Sequence, residues 1–327
     1  MGCDVTLIDY RCPKIEKREA VPTWRNVKTV KDVIKYLLWH RKLQAKHDGF
    51  WKFIDDNIRI TNSYDHTNIG DLNNRFDSFV VGSDIVWGSE ITGHDKTFFL
   101  NFSDCEKKKY SFSSSIGTLW DESEREEIAT YLKRFNKISV REELAMEWIK
   151  QYVGIDVNVT CDPTMLFDAN YWENMCDDYL VPKEKYVLIY LENPDKKNVT
   201  DGIQYAKKHG LSAYFINFYR HVKGTKSITP ETVQQWLSLV KHADTVFSAS
   251  YHGLLFSLYF HRNVFYYNRG EKSRMVSLGK ALNIEHREGT DTNVMNDIPV
   301  DYTMVDKIIS HKREESWEYL RNISKEL

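Results

Sequence analysis

From Lys185 to Leu191 the chain reads KYVLIYL, a continuous apolar run rich in β-branched and aromatic residues. Such a run, without polar alternation, predicts a strand buried on both faces, as in a parallel sheet. Val199–His209 then takes helical spacing and stops at Gly210, a C-cap residue. Leu211–Phe218 is the next predicted strand. Thr229-Pro230-Glu231 predicts a helix start, because Thr caps, Pro suits the first turn and Glu favours the positive dipole end. That helix extends to about Ala243, with Val233, Trp236, Leu237 and Val240 on one face. Asp244–Ser250 and Asn263–Tyr267 read as strands, Gly253–Phe260 and Ser273–Leu282 as helices. Strand and helix alternating over short connections predict parallel βα units.

The first half repeats the rhythm less regularly. Strands are predicted at 4–10, 76–81, 109–115, 137–140 and 157–161, and helices at 30–46, 121–135 and 142–152. Residues 168–184 are polar and turn-rich and read as a hinge, and Ser316–Glu326 is helical and expected to pack back on the first half. The predicted fold class is therefore α/β, with two Rossmann-like domains facing a cleft. Their bounds are 1–175 and 176–312, with 313–327 as the returning helix. Ligands commonly bind in such clefts.

Composition narrows the class of function. Lys and Arg number 45 against 47 Asp and Glu, a net charge of −2, so no basic stripe marks a general nucleic-acid binder. No apolar run reaches the roughly 18 residues that span a bilayer. No basic flank precedes an apolar segment at the N-terminus, so a cytoplasmic location is expected. The five cysteines are scattered without a CxxC pair, which argues for reduced thiols and against a zinc site. Trp24, Trp39 and Trp51 stand near Arg25, Arg41 and Lys52; this suits a peripheral membrane contact or an ordinary aromatic core.

Four segments could carry chemistry. In Ser250-Tyr251-His252-Gly253 a strand gives way to a helix, so free N–H groups and the positive dipole end could meet an anion, with Gly253 letting the backbone approach. His252 could hold a phosphate or move a proton. A capping Ser and a packed His are the plain alternative. In Gly82-Ser83-Asp84-Ile85-Val86-Trp87, Asp84 could take a proton from a sugar hydroxyl and Trp87 could stack on a sugar face; an Asp cap and a core Trp are the alternative. Arg141 ends a strand, where its fork could clamp a carboxylate or phosphate, or merely pair with Glu142 or Glu143. Asp162 reads as structural. GxGxxG, GxxxxGK[ST], HExxH and GxSxG are all absent.

As an ordered set, VVGSDIVW (80–87), YSFSSSIG (110–117), ISVREE (138–143), VTCDPTMLFD (159–168), the stretch 229–268 and SRMVSLGKALNI (273–284) resemble the polysaccharide pyruvyl transferase family. The resemblance implies a glycosyltransferase-B-like fold. It also implies transfer of the carboxyethylidene group of phosphoenolpyruvate onto two hydroxyls of a sugar or lipid-linked saccharide. Such chemistry serves bacterial capsule, exopolysaccharide and cell-wall synthesis at the inner membrane face. No cofactor beyond the donor is implied. Asp84 and His252 are then the expected catalytic pair, with Arg141, Ser250, Tyr251, Gly253, Arg274 and Trp87 expected at the substrates. Many members carry Arg-Leu-His-Gly where this chain has Ser250–Gly253, so the missing cation must come from Arg141, Arg274 or Lys272. The family's usual first strand–helix unit, with its Asn-x-Gly-Ala segment, is expected to be missing. Rival readings are a nucleotide-sugar glycosyltransferase of similar fold and a catalytically silent sugar-binding paralogue.

Overall fold

The computed structural model describes residues 2–24, 27–218, 221–269 and 274–326, with the side chain of Lys35 excepted. Arg25, Lys272, Ser273 and the start of the 219–228 loop, all considered above, therefore lie outside the described residues. The elements run β1 (Leu7–Tyr10), α1 (Pro13–Glu19), α2 (Val30–Asn57), β2 (Ile60–Tyr64), β3 (Ser78–Val81), α3 (Ser89–Thr92), β4 (Lys108–Ser111), α4 (Glu122–Leu132), β5 (Ser139–Val140), α5 (Glu143–Val153) and β6 (Asn158–Val159). Next come α6 (Ala169–Glu173), β7 (Tyr186–Tyr190), α7 (Lys197–His209), β8 (Ser212–Ile216), β9 (Lys226–Ile228) and α8 (Val233–Lys241). The chain ends with β10 (Thr245–Ser248), α9 (Tyr251–Tyr259), β11 (Asn263–Tyr266), α10 (Arg274–Ala281), α11 (Asp291–Asn296) and α12 (Tyr302–Ser324).

Contacts divide the chain into two compact α/β units. The first comprises Met1–Ala20, Ile58–Phe167 and Ile309–Leu327, the second Val21–Asn57 and Asp168–Ile308. In the first, β1 pairs with β2, β3 with β4 and β5 with β6, all parallel. Parallel bridges Tyr110–Lys137 and Ser114–Val140 join the β4 and β5 segments. Its core gathers Leu72, Trp87, Ile116, Trp120, Ile128 and Val140. Full burial of each aliphatic member contributes about 1.5–3 kcal/mol. The end of α12 closes over this unit: Tyr319 and Ile323 pack on Tyr110 and Phe112, and the Tyr319 hydroxyl donates to the Ser111 carbonyl at 2.9 Å.

The second unit holds a five-stranded, all-parallel sheet in the order β11-β10-β7-β8-β9. Gly210 ends α7 at φ +67°, in the left-handed region that glycine adopts without strain. Three predicted boundaries move. Helix α8 starts at Val233 instead of Thr229, because Thr232 is the cap, its Oγ accepting from the Gln235 N–H at 3.2 Å. Helix α9 starts at Tyr251, ahead of Gly253. Helix α2 continues past Lys46 to Asn57, since Ile54 is buried and Gly49 brings the helix backbone against the Glu231 carbonyl. A Cβ at residue 49 would lie 2.1 Å from that oxygen, so glycine is what allows the contact.

Candidate functional site

In the first unit, β3 delivers Asp84 into a tight turn. Gly82 opens it at φ +143°, and a Cβ there would sit 2.0 Å from the Phe112 carbonyl. Asp84 itself takes φ +56°, and its carbonyl accepts from the Ser115 N–H at 2.8 Å. The backbone is thus fixed while the side chain stays 63% exposed. Beneath it lies Arg141, at the end of β5, with its side chain only 1% exposed. Its Nη2 donates to Asp84 at 3.2 Å, its Nη1 to Asp162 at 2.8 Å and its Nε to Glu142 at 3.2 Å.

That pairing corrects the expectation that Arg141 clamps a substrate anion. The buried guanidinium already donates to three carboxylates, so its N–H groups are engaged within the protein and it is poorly placed to take a further phosphate or carboxylate. Arg141 orients Asp84. Asp162 is structural as expected, its Oδ1 accepting from the Thr164 N–H and hydroxyl at 3.0 and 2.7 Å. It does more, because its other oxygen anchors the guanidinium. Glu142 accepts from the Ser115 hydroxyl at 2.7 Å on the oxygen that meets Arg141. Its second oxygen is buried and has no hydrogen-bond partner among the described residues. Glu142, which the sequence alone offers only as a surface partner of Arg141 within ISVREE, is thus part of the buried cluster together with Ser115.

Trp87 is a second correction. Its side chain is fully buried, its indole N–H donates to the Phe98 carbonyl at 2.9 Å, and its ring stacks on Phe99 at 5.8 Å. The ring is core and cannot present a face to a sugar.

In the second unit, the buried strand β10 ends at Ser248, whose Oγ accepts from the Ser250 N–H at 3.0 Å. Ser250 caps α9, its Oγ accepting from the Gly253 N–H at 3.3 Å. Gly253 also packs closely on the sheet: a Cβ would fall 2.2 Å from the Ser248 Oγ and 2.9 Å from the Tyr190 ring. His252 lies half-buried on the first turn. Its ring stands edge-on to Tyr251 with centroids 5.6 Å apart. Arg274, the first residue of α10, sets its guanidinium 5.6 Å from the same tyrosine ring. Tyr251 is mostly buried and acts as the platform between them. Ser250, Tyr251, His252, Gly253 and Arg274 are thus brought together at the carboxyl edge of the sheet, the usual place for ligands in parallel α/β structures.

The polysaccharide pyruvyl transferase family pattern matches residues 2–271. The chain belongs to that family. The matched span includes both Asp84 with its arginine and the His252 turn, while Arg274 lies just beyond it. None of the curated proteins matches the chain. Among solved structures, it is similar to a 2.2 Å crystal structure of a protein provisionally assigned as a UDP-N-acetylglucosamine 2-epimerase from Listeria monocytogenes. That likeness covers 95% of this chain and 90% of that one, at 9% identity and a TM-score of 0.49.

The second unit also holds a cavity of about 480 Å³ that the motifs do not point to. It opens where β7 and β8 end, between Tyr190, Glu192, Asn217, Phe218 and Trp236, with Lys46 and Phe50 of α2 along one side. The Lys46 ammonium lies 5.2 Å from the centre of the Phe218 ring. Its volume suits a small ligand. The signal was present: Phe50, Trp51 and Ile54 continue the helical spacing beyond Lys46. One group of three metal-ligating side chains occurs among the described residues, His94, Asp121 and Glu124. Glu124 already receives the Lys96 ammonium and His94, at 2.9 Å from the latter, so the charge there is met within the protein.

Proposed function

We propose that the protein transfers the carboxyethylidene group of phosphoenolpyruvate onto two hydroxyls of one saccharide, releasing phosphate and leaving a pyruvate ketal. Family membership supports the transferase class and a saccharide acceptor. The observation that carries the chemistry is Asp84: an exposed carboxylate on a fixed turn, held from below by a buried guanidinium. An exposed carboxylate held in one place is able to accept a proton or hydrogen bond from a hydroxyl that reaches it.

The reaction proceeds by an addition and then a substitution. The first hydroxyl oxygen attacks C2 of the donor, its proton leaves to the base, and a proton is delivered to the methylene carbon, which becomes the methyl group. The second hydroxyl then replaces phosphate at C2, and its proton departs with the phosphate. Asp84 serves as base or orients the attacking hydroxyl, and His252 serves as acid. With Arg141 committed to carboxylates, the donor's phosphate and carboxylate fall to Arg274, His252 and the first turn of α9. The reaction so written draws on no cofactor beyond the donor.

Calorimetric titration with phosphoenolpyruvate tests this directly. Binding that falls about tenfold or more in His252→Ala supports the assignment, since charge-assisted contacts are worth that much. Binding of a uridine nucleotide sugar in place of phosphoenolpyruvate would overturn it and assign a glycosyltransferase.

A further inference from the structure

Helix α2 is built for two different surroundings. Its carboxyl half is tied into the second unit by Ile54 and by the Gly49 contact, and it lends Lys46 and Phe50 to the cavity. Its amino half is another matter. Val30, Ile34, Leu37 and Leu38 are 78%, 53%, 72% and 61% exposed. Their i, i+4, i+7, i+8 spacing places them in one stripe of the helix. Arg41 continues the stripe at i+11, and exposed Lys31 and Lys42 flank it. The remaining face is occupied: the His40 ring lies 2.7 Å from the Pro22 carbonyl, Tyr36 stacks on His40 at 4.6 Å, and Trp24 meets Tyr36 edge-on at 5.6 Å. Among the described residues the stripe is left largely open to solvent.

Charge identifies the occupant. Residues 27–46 carry six Lys and Arg against the single acid Asp32, a net of +5, in a chain whose net charge is −2. A second copy of this chain is a poor partner, because a two-fold interface would set two such basic stripes against each other. An apolar stripe bordered by Lys and Arg, with an exposed tryptophan beside it, matches the surface of an anionic bilayer. There the aliphatic side chains enter the acyl boundary and the cations meet the headgroups. No helix among the described residues is long and apolar enough to cross a membrane, so the contact would be peripheral. We propose that the amino half of α2 docks the protein on an anionic membrane surface.

Docking would also set the position of the cavity. Lys46 and Phe50 follow Leu38 by 8 and 12 residues, or about 12 and 18 Å along the axis at 1.5 Å per residue. A saccharide carried on a membrane lipid would lie within that reach. This link to the acceptor rests on the function proposed above, whereas the docking itself does not.

Co-sedimentation with vesicles tests it. The full chain should sediment with phosphatidylcholine vesicles containing phosphatidylglycerol, and not with phosphatidylcholine alone. Raised salt should release it. Leu37→Glu/Leu38→Glu should weaken the partition about tenfold or more while leaving the circular dichroism spectrum unchanged, because both side chains already stand in solvent. Equal binding to both vesicle types, no binding to either, or retention of the double variant would overturn docking. So would a dimer in sedimentation velocity that the double variant abolishes without any vesicle binding by the parent. Phosphoenolpyruvate titration of parent and variant keeps the two proposals apart. Lost vesicle binding with intact donor binding isolates docking, and vesicle binding without donor binding supports docking while faulting only the donor assignment.

Discussion

Two arginines among the described residues are buried, one in each unit, and they are used in opposite ways. Arg287 gives its Nε to the Val264 carbonyl at 2.9 Å and its Nη1 to Asp297 at 3.0 Å and the Ile298 carbonyl at 2.6 Å, and it lies 3.8 Å from the centre of the Phe265 ring. One carboxylate, neutral carbonyls and a ring face meet its charge locally, and it ties the segments around β11 together. Arg141 instead faces three carboxylates, and one of them looks into solvent. A buried cation whose charge is met by one carboxylate and neutral groups serves the fold. One that holds an exposed anion in place also serves a site.

The largest effects should come from removing either guanidinium. Arg287→Met and Arg141→Met should each cost about 3–5 kcal/mol in chemical denaturation, because a carboxylate is left behind without its partner. The two should part when that carboxylate is neutralised. Arg141→Met/Asp162→Asn should recover part of the stability without recovering turnover, since Asp84 still lacks its holder. Turnover is read as phosphate released from phosphoenolpyruvate in the presence of cell-envelope saccharide. If turnover returns together with stability, Arg141 is no different in kind from Arg287.

Asp84→Asn should behave the other way round. Because Arg141 keeps Asp162 and Glu142 and the Asp84 side chain is mostly exposed, the substitution should change stability by less than about 1 kcal/mol. Loss of a general base should lower turnover by about 10²–10⁴-fold, with phosphoenolpyruvate affinity unchanged. Turnover that survives in the variant would make Asp84 an ordinary turn residue and remove the contrast between the two arginines.

The sequence carried most of the second unit, because its strands are continuous apolar runs and its helices are capped by Gly210 and by a threonine, though at Thr232 instead of Thr229. The first unit was harder to read: β5 and β6 are two residues each, too short for periodicity to bound them. At the site, the polar residues at strand ends were found, but their partners were not. Residue type alone could not tell a clamping Arg141 from a saturated one, because three carboxylates from distant segments decide it. For the same reason Trp87 read as a sugar platform, although Phe98 and Phe99 claim its N–H and its face. The apolar spacing of α2 stands in the sequence, but only burial shows that its amino-half stripe is left largely uncovered among the described residues.

The smallest expected effect separates the two arginines by pH. Burial works against ionisation of Asp297, but hydrogen bonds from Tyr205, Arg287 and Asn263 outweigh it, and its carboxyl is held below the ordinary range. A carboxyl with a depressed folded-state pKa adds stability that is complete above its unfolded value, near pH 3.9, and is lost as pH falls through the folded one. The Arg287 network should therefore loosen only in acid. Urea midpoints measured downward from neutral pH should fall below about pH 4 in the parent protein. In Asp297→Asn the midpoint should start lower and fall less steeply over the same interval. A variant whose acid limb matches the parent's would place the acid sensitivity elsewhere, and Arg287 would then be held by its carbonyls and the Phe265 ring, with its one ion pair incidental.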